Sequence, residues 1–124
     1  MEELIIEATT HTPAVEFYPG GKLKMEGRSF PEDVMGFYDP LIEYAENLEC
    51  AEVIMTVNMD YFNTASSRKM LDLLRTLDAN TKTGKVQINW YYEADDEDSI
   101  EIAEIFEEAL ERCEFLYHEC AEVE

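Results

Sequence analysis

Positive charge is scarce in this chain. Nine Lys and Arg face 29 Asp and Glu, a formal charge of −20 over 124 residues. A nucleic-acid binder needs a cation for each phosphate it contacts, so the balance argues against that class and against docking on an anionic membrane surface. Glycine and proline are also few, five and four residues, while 46% of the chain is apolar, which excludes a fibrous or disordered polymer. No run approaches the ~18 consecutive apolar residues of a membrane span. The start, Met1-Glu2-Glu3-Leu4-Ile5-Ile6, has an acidic head and a short apolar run. A secretory signal begins basic and continues with a long apolar stretch, so none is expected and the chain reads as cytoplasmic. Cys50, Cys113 and Cys120 are odd in number and lack a CxxC pair, the pattern of reduced thiols. His118 lies two residues from Cys120, but no second pair is spaced to complete a zinc tetrahedron.

Catalytic signatures are missing too. His11 and His118 sit at opposite ends of the chain, and neither GxSxG nor a reactive-cysteine signature is present. GxGxxG and GxxxxGK[ST] are absent, so no nucleotide site of those kinds is supported. No enzyme activity and no cofactor are expected. Asp95-Asp96-Glu97-Asp98 suggests calcium at first sight, but it lacks the turn glycine and alternating ligands of an EF-hand. Acids just before Ile100 fit better as the start of a helix, where the macrodipole favours negative charge. Fourteen of the 29 acids fall between Glu93 and Glu124, opposed there only by Arg112.

What the chain does contain is alternation. Leu4 to Ile6 reads as a short strand. Val15 to Tyr18 and Leu23 to Glu26 flank Pro19-Gly20-Gly21, a hairpin signal. Ser29-Phe30-Pro31-Glu32 matches a capping box, and Val34, Phe37, Tyr38, Leu41, Ile42, Ala45 and Leu48 then recur at helical spacing. Pro40 falls inside that pattern, which predicts a kink or a late helix start. Val53, Met55, Val57 and Met59 alternate as a strand; Met70, Leu73, Leu74 and Leu77 form a helical stripe. Val86, Ile88, Trp90 and Tyr92 alternate again, with Trp90 inward and Tyr91 outward. A third helix spans Ile102 to Cys113, and Phe115 to Cys120 closes as a strand. A hairpin followed by α-β-α-β-α-β predicts one α/β domain over residues 1–124, with a mostly parallel mixed sheet, an antiparallel N-terminal edge and three main helices.

The segment Met59-Asp60-Tyr61-Phe62-Asn63-Thr64-Ala65-Ser66-Ser67-Arg68-Lys69-Met70-Leu71 joins a strand directly to a helix. Three hydroxyls crowd the first helical turn. Capping by Asn63 or Thr64 explains part of this, at ~1 kcal/mol. The same free amides and the dipole also favour an anion, so a phosphoryl group on a hydroxyl here would be stabilised rather than repelled. Arg68 and Lys69 add rare positive charge.

Gly27-Arg28-Ser29-Phe30-Pro31-Glu32, Tyr61-Phe62-Asn63-Thr64-Ala65-Ser66-Ser67 and Trp90-Tyr91-Tyr92-Glu93 followed by acids stand in an order and spacing that resemble the SiaC family of bacterial regulatory phosphoproteins, over nearly the whole chain. The family resembles STAS domains, in which a Ser or Thr at a helix start is phosphorylated. The resemblance implies a protein switch rather than a catalyst. A Ser/Thr kinase would phosphorylate Thr64, a PP2C-type phosphatase would reverse it, and the unphosphorylated form would bind and stimulate a diguanylate cyclase, raising cyclic di-GMP and promoting biofilm or aggregation. Thr64 matches the family's phospho-acceptor, and Ser66 and Ser67 its neighbouring hydroxyls. The acidic stretch Glu111 to Glu124 departs from the family's pattern. Tyr61 and Phe62 would either anchor a partner or plug the end of the sheet. Strand-to-helix loops gather at one edge of a parallel sheet, which makes Arg28 a candidate phosphate partner. The competing reading is a small acidic domain with a carboxylate site for a ligand or divalent metal, built from Asp95, Asp96, Glu97 and Asp98.

Overall fold

The computed structural model describes residues 1–120. The strands are β1 (Leu4–Ile6), β2 (Ala14–Phe17), β3 (Lys22–Ser29), β4 (Cys50–Phe62), β5 (Thr83–Glu93) and β6 (Cys113–Cys120). The helices are α1 (Val34–Asn47), α2 (Thr64–Ala79) and α3 (Glu97–Ala109), each inserted between two parallel strands. One sheet runs β1-β2-β3-β4-β5-β6, antiparallel as far as β3 and parallel beyond it. Every parallel step moves in the same direction, and right-handed crossovers then put all three helices on one face. Among the described residues the strand order never reverses, so there is no switch-point crevice of the dinucleotide-binding kind among them.

Alternation decides which side chains meet the helices. Val53, Met55, Val57 and Met59 of β4 and Val86, Ile88 and Trp90 of β5 are buried, with Tyr38, Leu41 and Ala45 of α1 and Met70, Leu73, Leu74 and Leu77 of α2 in the same cluster. Each such Val, Leu, Ile or Met side chain contributes roughly 1.5–3 kcal/mol by leaving water. Trp90, 1% exposed, stacks on Phe115, meets Phe62 and Phe106 edge-on, and donates its indole N–H to Ser99 at 2.9 Å. Tyr91 faces the other side of the sheet, stacked on His118 at 4.6 Å.

Three sequence expectations need correction. The Ser29–Glu32 capping box does not form. Ser29 ends β3 with its side chain buried, and Asp33 caps α1 by accepting from the Gly36 amide at 2.9 Å. A serine already inside a parallel ladder is not free to cap. Of the two alternatives at Pro40, the late start is excluded, because α1 begins at Val34 and runs through it. Pro40 is exposed, so water can serve the carbonyl that proline leaves without an amide. The third helix stops at Ala109, and Cys113 opens β6 instead. Arg112 accounts for that stop. Its guanidinium donates to the carbonyls of Leu77, Asp78, Asn80, Thr83 and Gly84, collecting the C-terminal end of α2 and the loop to β5. The Asp78 carboxylate in turn accepts from the backbone amides of residues 111–113. Much of the acidic stretch from Glu111 is therefore an edge strand; residues 121–124 of it lie outside the described residues.

Candidate functional site

The strand-to-helix segment singled out in the sequence lies where β3 and β4 end together. Gly27 pairs with Met59, but Arg28 pairs with Tyr61, so Asp60 is an extra residue in β4. Gly27 has φ +126°, a conformation that glycine adopts without strain. One inserted residue flips the side-chain parity that follows it. Without the bulge Tyr61 would continue the buried row of Val57 and Met59. With it, Phe62 turns inward against Trp90, centroids 6.2 Å apart, and Tyr61 is left 50% exposed. Phe62 thus plugs the end of the sheet, while Tyr61 stays at the surface beside Phe30.

Asn63 follows with extended backbone and caps α2. Its side-chain oxygen accepts from the Ser66 amide at 2.9 Å, and its own amide donates to the Ser29 carbonyl at 3.1 Å. Thr64 is the first helical residue and is exposed. Among the described residues its hydroxyl takes no hydrogen bond. Ser66 behaves oppositely. It is fully buried, and its hydroxyl accepts from Ser29 at 3.0 Å. Ser29 also meets the Tyr38 hydroxyl at 2.7 Å. Burial pushes the Tyr38 phenol pKa up, and hydrogen bonding to Ser29 and Ser66 works against that rise. Ser67 is half-buried and donates to the Thr64 carbonyl at 2.9 Å. Of the crowded hydroxyls, only that of Thr64 has no hydrogen-bond partner among the described residues, and its residue is exposed.

The cations are arranged around this turn. Arg68 is exposed, and Lys69 pairs with Asp39 of α1 at 3.2 Å. The Arg28 guanidinium lies 5.4 Å above the Phe30 ring, which meets His11 and Tyr61 edge-on at 4.9 and 5.9 Å. The parallel register brings Arg28 to the same sheet edge as the start of α2, but it makes no hydrogen bond to Thr64 among the described residues.

Beside the turn, between the end of β4 and the start of α3, is a cleft of about 280 Å³ lined by Asp60, Tyr61, Phe62, Asp96, Asp98 and Ile102 among others. Asp96 and Asp98 of the acidic run reach it; Asp95 and Glu97 do not. Asp96 is already used as the cap of α3, accepting from the Ser99 amide at 3.1 Å. Among the described residues no three His, Cys, Asp or Glu side chains are grouped to hold a metal. The carboxylate-site reading thus gains a cleft but no ligand set. The cysteines carry no sign of activation. Burial pushes Cys50 and Cys120 up, and burial together with Asp78 pushes Cys113 up to about 12, opposite to what a nucleophilic thiol needs.

Ser29, Tyr38 and Ser99 were not singled out for the places they occupy. A faint signal was available: Asn63 with Ser66, and Asp96 with Ser99, repeat a cap followed three residues later by serine, and both serines bond a buried polar group.

Comparison with known proteins finds relatives over nearly the whole chain. Residues 6–120 match the family model described as the SiaC family regulatory phosphoprotein. An uncharacterised protein of Pseudomonas aeruginosa strain UCBPP-PA14 is 31% identical over 121 residues, 93% of each chain. The solved structure of SiaC of Pseudomonas aeruginosa is 26% identical with a TM-score of 0.81, covering 95% of this chain and 100% of that one. A crystal structure of the diguanylate cyclase SiaD in complex with its activator SiaC, from the same organism, matches with a TM-score of 0.84 at 27% identity, over 94% of this chain and 99% of that one. Among the described residues no helix is long and apolar enough to cross a membrane.

Proposed function

The chain belongs to the SiaC family of regulatory phosphoproteins, and from that premise we propose that it is a non-enzymatic switch whose state is the phosphorylation of Thr64. A Ser/Thr kinase adds the phosphate, a PP2C-type phosphatase removes it, and the unphosphorylated form binds and stimulates a diguanylate cyclase in the cytoplasm, controlling cyclic di-GMP and with it biofilm or aggregation. One observation carries the reading: at the first turn of α2 Thr64 is exposed and its hydroxyl unbonded among the described residues, while that of Ser66 is buried and used. A kinase can reach Thr64 without opening the fold, and phosphate there faces the unpaired amides and the positive end of the helix dipole. The charge it brings, roughly −2, falls on the rim formed by Tyr61, Ser67 and Arg68. Phe62, Asn63 and Ser66 hold that rim from beneath. Arg28, paired with Tyr61 at the same sheet edge, is the candidate to answer the phosphate. Support for the cyclase as partner comes from the SiaC–SiaD complex, whose activator shares this fold.

The test is intact mass and peptide mapping of the chain isolated from its native host with phosphatase inhibitors present. A single phosphate on Thr64 is expected. Capture of a diguanylate cyclase should then persist with Thr64→Ala and be lost with Thr64→Glu. A phosphate on another residue, or none under several growth conditions, overturns the assignment.

A further inference from the structure

Beneath Thr64 the structure holds a buried chain of three hydroxyls from three elements: Tyr38 of α1, Ser29 at the end of β3, and Ser66 in the first turn of α2. All three are fully buried. A serine hydroxyl has one hydrogen. Ser29 donates it to Ser66, so the bond between Ser29 and Tyr38 must be donated by the phenol. The order of donation is thereby set: Tyr38 to Ser29 to Ser66. The Ser29 carbonyl meanwhile accepts from the Asn63 amide, so one residue of β3 grips the cap and the third position of the helix at once. No other side-chain hydrogen bond among the described residues joins the start of α2 to the body of the protein, apart from Lys69 to Asp39 one turn further on.

We propose that Ser29 and Tyr38 are positioning residues for the phosphoacceptor: through Ser66 they hold the first turn of α2 in the helical form that turns the Thr64 hydroxyl outward and keeps its amides aimed at an incoming phosphate. This rests on Thr64 being the acceptor. A helix start would otherwise fray, because its first amides lack intrahelical partners. The hydroxyl chain supplies a tertiary bond where the ladder supplies none. Kinase and partner then meet a preformed turn rather than a mobile segment.

Tyr38→Phe removes one oxygen and keeps the ring. Amide hydrogen exchange is the primary readout. Ser66 and Ser67 should exchange about tenfold faster in the variant, with Leu73 and Leu74 of the same helix changed no more than global stability requires. Ser66→Ala cuts the chain from the other end and should give the same localised acceleration; Ser66→Thr, which restores a hydroxyl, should reverse it. Phosphate occupancy of Thr64 in the native host, at matched protein level, should fall severalfold in Tyr38→Phe. Uniform acceleration along α2, no acceleration at Ser66 and Ser67, or unchanged occupancy with a loosened turn would overturn the proposal. The exchange experiment uses no phosphate. It can therefore fail while Thr64 is still the acceptor, and it can succeed if mass mapping places the phosphate elsewhere.

Discussion

Replacing Thr64 by Glu should stabilise the isolated protein. The wild-type hydroxyl makes no hydrogen bond among the described residues and the side chain is exposed, so the substitution removes no contact. At the first helical position a carboxylate gains ~0.3–1 kcal/mol from the helix dipole. Arg68 stands four residues on, with the acid on its N-terminal side, which adds ~0.2–0.5 kcal/mol. Self-repulsion within a chain of charge −20 takes part of this back. The net is about 0.5–1 kcal/mol. Unfolding entropy of ~2.1 cal/mol/K per residue over 124 residues is about 260 cal/mol/K, so the melting temperature should rise by ~2–4 °C. The reference is Thr64→Gln, equal in size and uncharged. Melting followed by the fluorescence of Trp90, the single tryptophan and 1% exposed, gives the measurement at low salt. Repeating it in ~1 M NaCl should remove most of the difference. A Glu variant that melts at or below the Gln variant at low salt would refute the reasoning. The turn would then not be anion-accepting, and phosphate on Thr64 would act by loosening the helix rather than by decorating an intact surface.

Other substitutions probe what holds the site in place. Asn63→Ala loses the cap bond to the Ser66 amide and should cost ~1 kcal/mol, seen as a fall of ~4 °C in the same melt. Arg112→Met removes a donor shared by five carbonyls, of which those of Leu77 and Asn80 keep a second partner. It should cost ~3 kcal/mol by urea denaturation, far more than a surface arginine is normally worth. Gly21→Ala should be severely destabilising, because Gly21 has φ +104° and a Cβ there would run into the Glu52 carbonyl. The Asp78 carboxyl is subject to burial, which raises its pKa. The backbone amides of Arg112, Glu111 and Cys113 outweigh burial and hold it below the ordinary 3.8. A depressed folded pKa contributes stability that is complete above the unfolded value and is lost as pH falls through the folded one. Wild type should therefore lose stability below about pH 4 more steeply than Asp78→Asn in paired urea titrations.

Much was legible from periodicity because burial on one side of a sheet and one side of each helix dictates it. Alternation at Val53–Met59 and Val86–Trp90 and the helical stripe Met70–Leu77 reappear as the core, and the Pro19-Gly20-Gly21 turn reappears as the hairpin. The cap at Asn63 was readable because capping is a local bond within three residues. Ser29 was misplaced for the opposite reason: its partners, Tyr38 and Ser66, lie 9 and 37 residues away, and local spacing favoured a cap that the strand had already claimed. The inward turn of Phe62 and the outward turn of Tyr61 depend on a bulge that exists only because β3 pairs with β4. Arg112 was visible as a lone base in an acidic stretch, but five carbonyls from another part of the chain determine what it does. The sequence alone determined the layers, the order of elements and the hydroxyl-rich helix start, since each follows from short-range pattern and hydrophobic burial. Which of those hydroxyls faces water and which is locked inside was decided only by tertiary structure, because the lock is made by residues that folding alone brings together.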